Sequence, residues 1–268
     1  MENSIGFSAS HWGPPVNGKK TADRLIAEEP LAIRVEGKPY VVVMRTPGDE
    51  IAQAAGLCLA EGLVELPSDI ASLGVCEADN TNVVTITLTP ERRKCIPDKL
   101  DRREYISQTS CGICGKEVVS ELYQSIQPLV DETVFDIQEA IACLNALPEQ
   151  QPLRRQTRAA HAAAIYNKDL ICLCVAEDVG RHNALDKAVG KLFLDGRLSS
   201  AKLLILSSRI SYELVQKAAR ARIPVILAYS RPTSLAVTLA DSLNMTLACS
   251  DGGSGLYLFC GEQRLKPS

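Results

Sequence analysis

The sequence lacks a long apolar run. Apolar residues occupy 46% of the 268 positions, but no run approaches the ~18 consecutive apolar residues that a membrane-spanning helix requires. The segment at 1–13 carries an early acidic residue and lacks the apolar core of a secretory signal peptide. These absences favour a cytoplasmic protein that has no membrane partner.

The chain also lacks a surplus of charge of one sign. Its 29 Lys and Arg residues against 32 Asp and Glu residues give a net charge of −3, and the isoelectric point is about 5.7. Nucleic-acid-binding proteins usually present a strongly basic face, so we expect no nucleic-acid partner. No internal repeat interrupts the chain, and its length suits one large domain or two unequal ones.

Cysteine is frequent, with ten residues, but a disulfide scaffold is not expected. A chain of this length buries about three quarters of its unfolded surface and folds without such cross-links. Half of the cysteines lie inside apolar runs, where thiols behave as small core residues: Cys58, Cys76, Cys143, Cys172 and Cys174. Free, reduced thiols agree with a cytoplasmic location.

Three regions follow from the distribution of polar and apolar residues. Residues 1–28 are polar and predict a flexible N-terminal arm. Residues 29–110 predict a small β-rich unit, with two hairpins around one helix and a long basic loop from 91 to 110. Residues 111–268 predict a larger α/β domain with a mostly parallel sheet covered by helices. The hairpin strands are predicted at Leu31–Val35 and Tyr40–Met44, and at Ser72–Glu77 and Val83–Leu88.

Three loops of the larger region are candidates for ligand binding, because ligands on such sheets bind where strands end and helices begin. The loops span 177–183, 207–211 and 230–234, and they carry Arg181, Arg209 and Arg231, one in each. One such loop is a weak signal. Three at equivalent strand ends predict a phosphate-rich ligand such as a nucleotide.

The loop that begins at Glu177 is the most polar of the three. Backbone amides at the start of the following helix, with Arg181 and Lys187 nearby, predict an anion site. His182 is suited to proton transfer near neutral pH. A well-capped surface turn with local ion pairs explains the same residues equally well. For His161, a buried structural role and a catalytic role are both open.

A Cys-x-x-Cys pair, Cys111 and Cys114, is the most informative local feature. Its spacing places both sulfurs on one face of a helical turn. A helix N-terminus and the preceding basic loop both favour the thiolate, and such settings lower a cysteine pKa from ~8.5 to between ~3.5 and ~7.5. Gly112 and Gly115 keep bulk away from the sulfurs, which suits a site that a large partner must reach.

Other roles for the pair are less well supported. A zinc site needs four ligands, and the chain has no second Cys-x-x-Cys. Zinc-dependent nucleobase deaminases carry a His-x-Glu motif that is absent here. A thioredoxin-like motif lies near the start of a βαβ unit, and simple core packing does not suit the flanking glycines. Sulfur relay or redox chemistry at an exposed cysteine pair is therefore the favoured class, through thiolate attack on a donor persulfide.

Several segments together resemble the formate dehydrogenase accessory proteins, the FdhD family. The matching segments are Thr-Ser-Cys-Gly-Ile-Cys-Gly-Lys from Thr109, Glu-Asp-Val-Gly-Arg-His-Asn-Ala-Leu-Asp-Lys from Glu177, Ser-Tyr-Glu-Leu-Val-Gln-Lys-Ala from Ser211, and Arg-Pro-Thr-Ser-Leu-Ala-Val from Arg231. Met44-Arg45-Thr46-Pro47 and Ala60-Glu61-Gly62 match as well. The resemblance covers nearly the whole chain from about residue 30.

The resemblance implies a sulfurtransferase with a cytidine-deaminase-like three-layer α/β domain and a homodimeric assembly. Sulfur would pass from a cysteine desulfurase, through a persulfide on Cys111 assisted by Cys114, to the bis-molybdopterin guanine dinucleotide cofactor of formate dehydrogenase. Guanine nucleotides are expected to mimic that cofactor. The residues implied to bind it are Ala248, Cys249, Ser250, Asp251, Gly252 and Gly253. The three loops add Arg181, His182, Arg209 and Arg231, and His161 is a further candidate.

Two other functions are compatible with the same residues. The first is a dithiol oxidoreductase that cycles Cys111 and Cys114 through a disulfide. The second is a non-catalytic chaperone that escorts the cofactor while the cysteines only hold a partner. Replacement of Cys114 separates the first from a persulfide carrier, and nucleotide binding without sulfur loading would favour the second.

Overall fold

The computed structural model describes residues 2–13, 18–75, 82–97 and 126–267. Cys111, Cys114 and residues 98–110 of the predicted basic loop lie outside these ranges. The described strands are β1 (Ser4–His11), β2 (Lys19–Ile26), β3 (Glu29–Val35), β4 (Lys38–Arg45), β5 (Ile70–Val75), β6 (Val83–Leu88), β7 (Phe135–Asp136), β8 (His161–Tyr166), β9 (Cys172–Asp178), β10 (Leu203–Ile210), β11 (Val225–Pro232), β12 (Thr246–Ser250), β13 (Leu256–Cys260) and β14 (Leu265–Lys266).

The α-helices of the same ranges are α1 (Glu50–Ala60), α2 (Pro90–Cys95), α3 (Ile137–Ala146), α4 (Pro152–Thr157), α5 (Arg181–Leu194), α6 (Tyr212–Arg220) and α7 (Ser234–Ser242). Short 3-10 turns stand at Pro67–Asp69, Leu147–Gln150, Leu198–Ser200 and Glu262–Arg264. Within the described part of the chain, no helix has the length and apolar character needed to cross a membrane.

Strands β1 and β2 form an antiparallel ribbon where the sequence predicts a flexible arm. Ser4 pairs with Ile26 at one end and His11 with Lys19 at the other. The Arg24 guanidinium donates hydrogen bonds to the hydroxyl and the carbonyl oxygen of Ser4. The two strands were not predicted, and the flexibility of the segment stays a prediction. A ribbon with two largely exposed faces carries little of the apolar alternation by which strands are recognised in a sequence.

The β-rich unit contains both predicted hairpins. Strands β3 and β4 pair antiparallel, as do β5 and β6, and a parallel pairing of β3 with β6 joins the hairpins in the order β4-β3-β6-β5. The first residues of the predicted basic loop form helix α2 instead. Thr89 caps this helix by accepting a hydrogen bond from the Arg92 amide, and Pro90 occupies its first turn, a position that needs no backbone N–H donor.

The larger sheet is mixed rather than mostly parallel. Its strands lie in the order β13-β12-β11-β10-β8-β9, and only the pairings of β10 with β11 and of β11 with β12 are parallel. Strands β8, β9 and β13 pair antiparallel with their neighbours. The prediction of a mostly parallel sheet is therefore wrong, because short turns rather than helices connect β8 to β9 and β12 to β13.

Apolar side chains cover both faces of this sheet. On one face, helices α5, α6 and α7 share a continuous core with α1 and the smaller sheet. On the other face, α3 and the short β7–β14 pair cover the sheet. The architecture is thus α/β with helices on both sides of a central sheet. The likeness to cytidine deaminases and a domain boundary near residue 110 stay predictions.

Helices α1 and α5 cross at two glycines. A Cβ atom on Gly56 would overlap the backbone carbonyl of Asp186, and one on Gly190 would overlap the backbone carbonyl of Ala52. Backbone atoms cannot move aside as a flexible side chain can. Both positions therefore require glycine for the close helix packing that joins the β-rich unit to the larger sheet.

Replacement of Gly56 or Gly190 by alanine is expected to destabilise the fold. Alanine has the higher helix propensity, but the added methyl group must push the helices apart, which typically costs about 1–3 kcal/mol. Urea unfolding monitored by circular dichroism measures the loss. Gly74→Ala is the matched control, since a Cβ atom on Gly74 would have nothing within 4 Å. Equal stability of the Gly56→Ala and Gly74→Ala variants would contradict the close-packing account.

Candidate functional site

Most of the predicted site residues converge at one edge of the six-stranded sheet. His161 begins β8 and pairs with Asp178, which ends β9. Because β10 runs antiparallel to β8 and parallel to β11 and β12, the ends of those three strands lie at the same edge. Arg209, Arg231 and Ser250 stand near those ends. The structure thus brings together the three loops that the sequence predicts.

Cationic side chains cluster at the β8–β9–β10 part of this edge. Burial lowers the pKa of Arg181, and the positive charge of Arg209 lowers it further. Burial also lowers the pKa of His161, with further depression from Arg181 and Arg154. Arg154 was not predicted to belong to the site. Depression of the Arg181 and His161 pKa values by neighbouring guanidinium groups indicates that these positive charges lie close to the two residues.

Two nitrogen atoms of this cluster are buried without a hydrogen-bond partner among the described residues. They are Nδ1 of His161 and Nε of Arg181. Buried polar atoms in native proteins nearly always have a partner. Unpaired nitrogens beside an excess of positive charge are the features of a site that accepts an anion.

The acidic residues of the Glu177–Lys187 segment are used inside the fold. Glu177 accepts hydrogen bonds from the Leu153 and Arg154 amides at 2.8 and 2.9 Å, so its carboxylate holds the start of helix α4. Asp186 is buried and accepts both hydrogen bonds of the Lys217 ammonium, at 2.7 and 2.9 Å. Burial raises the pKa of Asp186, and Lys217 opposes that rise.

Lys187 does not face the edge, so its predicted part in an anion site is wrong. Its side chain is about 2% exposed, and its ammonium lies 2.7 Å from the carboxylate of fully buried Asp178. The same ammonium donates to the Thr46 carbonyl at 2.7 Å. The alternative interpretation of local ion pairs is correct for this residue, although the pair is buried and not on the surface.

Asp178 is hydrogen-bonded on both carboxylate oxygens. One oxygen accepts from the Thr46 amide at 3.0 Å and from Lys187. The other accepts from the Gly180 amide at 2.8 Å and the Asn183 side chain at 2.9 Å. Such complete pairing is what allows a charge to be buried. The network joins the loop before α1 to the start of α5.

His182 lies beside an acid and a hydroxyl at the start of α6. Its Nε2 atom is 3.4 Å from Ser211 Oγ and 3.8 Å from the Glu213 carboxylate. The nearby imidazole of His182 is the largest of the effects that lower the pKa of Glu213 to about 2. Glu213 thus keeps its negative charge and positions the imidazole at the sheet edge.

The predicted dinucleotide stretch divides into a buried and an exposed part. The side chains of Ala248 and Cys249 are fully buried. Ser250 is half-buried, and Asp251, Gly252 and Gly253 form an exposed turn. One oxygen of the Asp251 carboxylate accepts from the amides of Gly253 and Gly255 at 2.7 and 3.1 Å. These two amides are therefore occupied by the turn itself.

Arg231 lies on the strand next to that of Arg209 and stacks on an aromatic ring. Its guanidinium carbon is 4.5 Å from the centroid of the Tyr257 ring. Arg231 is exposed, and Tyr257 is 46% exposed. Sequence reasoning missed Tyr257. The only sequence signal for it is an aromatic residue in a short C-terminal strand, which is equally typical of a core position.

The described cysteines are free, and most of them are poorly suited to nucleophilic attack. Burial raises the pKa of six thiols, and it raises that of Cys174 to about 11: the six are Cys58, Cys143, Cys172, Cys174, Cys249 and Cys260. Cys172 is exposed, so its predicted place in the core is wrong. Cys95 is exposed on α2.

Comparison with known proteins identifies a family. The model of the FdhD/NarQ family matches residues 26–266. A sulfur carrier protein FdhD from Streptomyces coelicolor is 39% identical over 91% of this chain and 89% of its own length. A protein of the same name from Anaeromyxobacter dehalogenans is 34% identical over 99% of this chain and 98% of its own length.

A solved structure has a similar fold. It is the crystal structure described as a formate dehydrogenase accessory protein from Desulfotalea psychrophila, with a TM-score of 0.79 and 22% identity. The match covers 99% of this chain and 100% of that chain, so the likeness extends over both sheets.

Removal of the Lys187 ammonium is expected to destabilise the protein strongly. Lys187→Met leaves the Asp178 carboxylate charged and buried, and the loss of one partner of such a pair costs about 3–5 kcal/mol. Lys191→Met is the matched control on the same helix. Lys191 also lies 2.7 Å from a carboxylate, that of Asp49, but both side chains are partly exposed, and such pairs contribute about 0–1 kcal/mol.

Urea unfolding of the two lysine variants decides between a structural and a ligand-binding role. If Lys187→Met unfolds like Lys191→Met but loses anion binding, the structural role of Lys187 is wrong.

Replacement of His182 is expected to raise the pKa of Glu213. In the intact protein this pKa is about 2, against an ordinary value of 4.5. Because the folded-state value is the lower one, ionised Glu213 stabilises the fold above pH 4.5, and this stabilisation is lost as the pH falls toward 2. In His182→Gln, NMR titration of the Glu213 carboxyl carbon should give a midpoint closer to 4.5.

Ser211→Ala should raise the same midpoint by less, since the Ser211 hydrogen bond is a smaller cause of the depression than that of His182. A midpoint unchanged in His182→Gln would show that the imidazole does not hold the Glu213 charge.

Proposed function

Because the chain belongs to the FdhD/NarQ family, we propose that it is a sulfur carrier that accepts sulfur as a persulfide on Cys111. The sulfur then passes to a molybdenum cofactor, bis-molybdopterin guanine dinucleotide, before that cofactor enters formate dehydrogenase. A cysteine desulfurase is the donor. The protein acts in the cytoplasm as a homodimer, with a larger domain like that of cytidine deaminases.

Loading requires only a thiolate and an accessible persulfide. The Cys111 thiolate attacks the outer sulfur of the donor persulfide, the sulfur–sulfur bond of the donor breaks, and the donor cysteine leaves as a thiolate. The product is a persulfide on Cys111. The elevated pKa values of six other described thiols support this assignment, because a protonated thiol is a poor nucleophile.

Discharge of the persulfide needs an electron pair, and Cys114 supplies it in our proposal. The Cys114 thiolate attacks the sulfur atom of Cys111, and the outer sulfur leaves as hydrosulfide toward the cofactor. A Cys111–Cys114 disulfide remains. A dithiol reductant of the cytoplasm then restores both thiols. The chemistry is balanced without any oxidant.

The cationic edge of the larger sheet is the proposed binding surface for the cofactor. A dinucleotide carries phosphate groups, and guanidinium groups bind phosphate through paired N–H donors. Arg154, Arg181 and Arg209 supply such groups. The unpaired nitrogens of His161 and Arg181 are the observation that favours a bound anion. In this proposal the anion is a phosphate group of the cofactor, which the site holds while sulfur is delivered.

Sulfur loading is tested by intact mass spectrometry under non-reducing conditions after incubation with a cysteine desulfurase and cysteine. The wild-type protein should gain one sulfur atom that a reductant removes. Cys111→Ala should gain none, since the accepting thiolate is missing. Cys114→Ala should still be loaded but should release sulfide slowly. Cys95→Ala is the matched control, because Cys95 is an exposed thiol outside the motif, and it should be loaded like the wild type.

Two outcomes would overturn the proposal. Loading of Cys111→Ala equal to that of the wild type would place the acceptor elsewhere. A desulfurase that becomes loaded while the wild-type protein gains no sulfur would favour a dithiol oxidoreductase or a cofactor escort instead.

A further inference from the structure

The end of the sheet edge formed by β11, β12 and β13 differs in chemistry from the cationic cluster. Arg231 on β11 covers the ring of Tyr257 on β13, and both side chains are exposed. A guanidinium group and a phenol ring that are stacked and open to solvent present flat surfaces. Such surfaces bind other planar groups by stacking, and every nucleobase has a π-face.

The stacked pair of Arg231 and Tyr257, called the platform below, is separated from the cationic cluster by a distance that suits a bound nucleotide. Strand order along the edge is β13-β12-β11-β10-β8-β9, so Arg231 and Tyr257 occupy the half formed by β11 to β13, and Arg209, His161 and Arg181 occupy the adjoining half that begins at β10. Neighbouring strands are about 4.8 Å apart, which puts about two strand spacings, roughly 10 Å, between β12 at the centre of the platform and β10. A nucleotide has the same order, with its planar base separated from its phosphates by a ribose.

Arg231 is thus poorly placed to act as one more phosphate contact. Its guanidinium is held over the Tyr257 ring, and the carboxylate turn at Asp251 follows β12 on the same side of the sheet. The amides of Gly253 and Gly255 in that turn are bonded to Asp251. Neither observation favours a phosphate at this end of the edge.

We propose that Arg231 and Tyr257 form a stacking platform for the nucleobase of a bound nucleotide, whose phosphates bind the cationic cluster. This inference rests on the proposed cofactor-binding function and assigns a role to Tyr257, a residue with no predicted role. Stacking depends on a planar ring and not on its hydrogen-bonding edge. The platform therefore binds guanine and adenine alike.

Isothermal titration calorimetry of the full chain tests the platform with three probes: guanosine diphosphate, adenosine diphosphate and inorganic pyrophosphate. Tyr257→Leu removes the ring and should weaken both nucleotides roughly 5- to 150-fold, the range for loss of one stacked base. Tyr257→Phe keeps the ring and should bind within about twofold of the wild type. Pyrophosphate has no base, and its affinity should be the same in all variants.

Arg231→Lys provides a second, independent variant. It keeps the positive charge but loses the planar group, so it should weaken both nucleotides and leave pyrophosphate binding unchanged. If Arg231 is instead a phosphate contact, Arg231→Ala will weaken pyrophosphate as much as the nucleotides. Thermal unfolding of each variant confirms that the fold is intact, which is expected because both side chains are exposed.

The results separate the platform from the proposed function. Nucleotide binding by the wild type that is unchanged in Tyr257→Leu and Arg231→Lys overturns the platform and leaves the cationic site standing. A wild-type protein that binds neither nucleotide nor pyrophosphate overturns the cofactor site and the platform with it.

Discussion

The buried pair of Asp178 and Lys187 is the constraint on which the rest of the structure depends. Burial of two charges is costly, and attraction between them offsets the cost only when their remaining hydrogen bonds are also made. Here the Thr46 and Gly180 amides and the Asn183 side chain donate the further hydrogen bonds to the carboxylate, and the Thr46 carbonyl accepts a second hydrogen bond from the ammonium. The pair thereby fixes the end of β9, the start of α5 and the loop that leads into α1. Arg181 and His182 reach the sheet edge because the residues around them are held in this way.

The same pairing explains the charge of the candidate site. The Glu177–Lys187 segment contains three acids, and each is bound inside the fold: Glu177 at the start of α4, Asp178 by Lys187, and Asp186 by Lys217. Arg181 and His182 remain for the edge. Lys187 and Lys217 balance two of the acids within the fold, and the Glu177 carboxylate is directed to the amides of α4. The positive charge of Arg181 is thereby added to that of Arg154 and Arg209 at the edge. The structural interpretation of the segment therefore applies to Asp178, Asp186 and Lys187, and the proposed ligand-binding role is left to Arg181 and His182.

The sequence predicts local structure here better than it predicts pairing between distant elements. The two hairpins of the β-rich unit and the helices that flank β10 and β11 follow from apolar periodicity and turn residues. The direction of β8, β9 and β13 does not, because antiparallel and parallel strands share the same composition when both faces are buried. The crossing of α1 over α5 at Gly56 and Gly190 is a contact between distant residues, and no local pattern reports it. The site was predicted from Arg and His residues in the loops that join strands to helices. Lys187 was misassigned and Tyr257 was missed because burial and stacking are tertiary properties.

A protein that carries sulfur on one thiolate must keep its other thiols from reacting with the same persulfides. Thiol–persulfide exchange is fast only when the attacking sulfur is ionised and accessible. Complete or partial desolvation raises the pKa of six of the described thiols and so favours their protonated form. Cys249 is protected in this way although it lies at the sheet edge, where Arg231 favours its thiolate. Desolvation outweighs the nearby positive charge at Cys249. A cationic edge can therefore attract an anionic cofactor without activating the thiol beneath it, so Cys249 stays protonated beside the surface that the proposed cofactor would occupy.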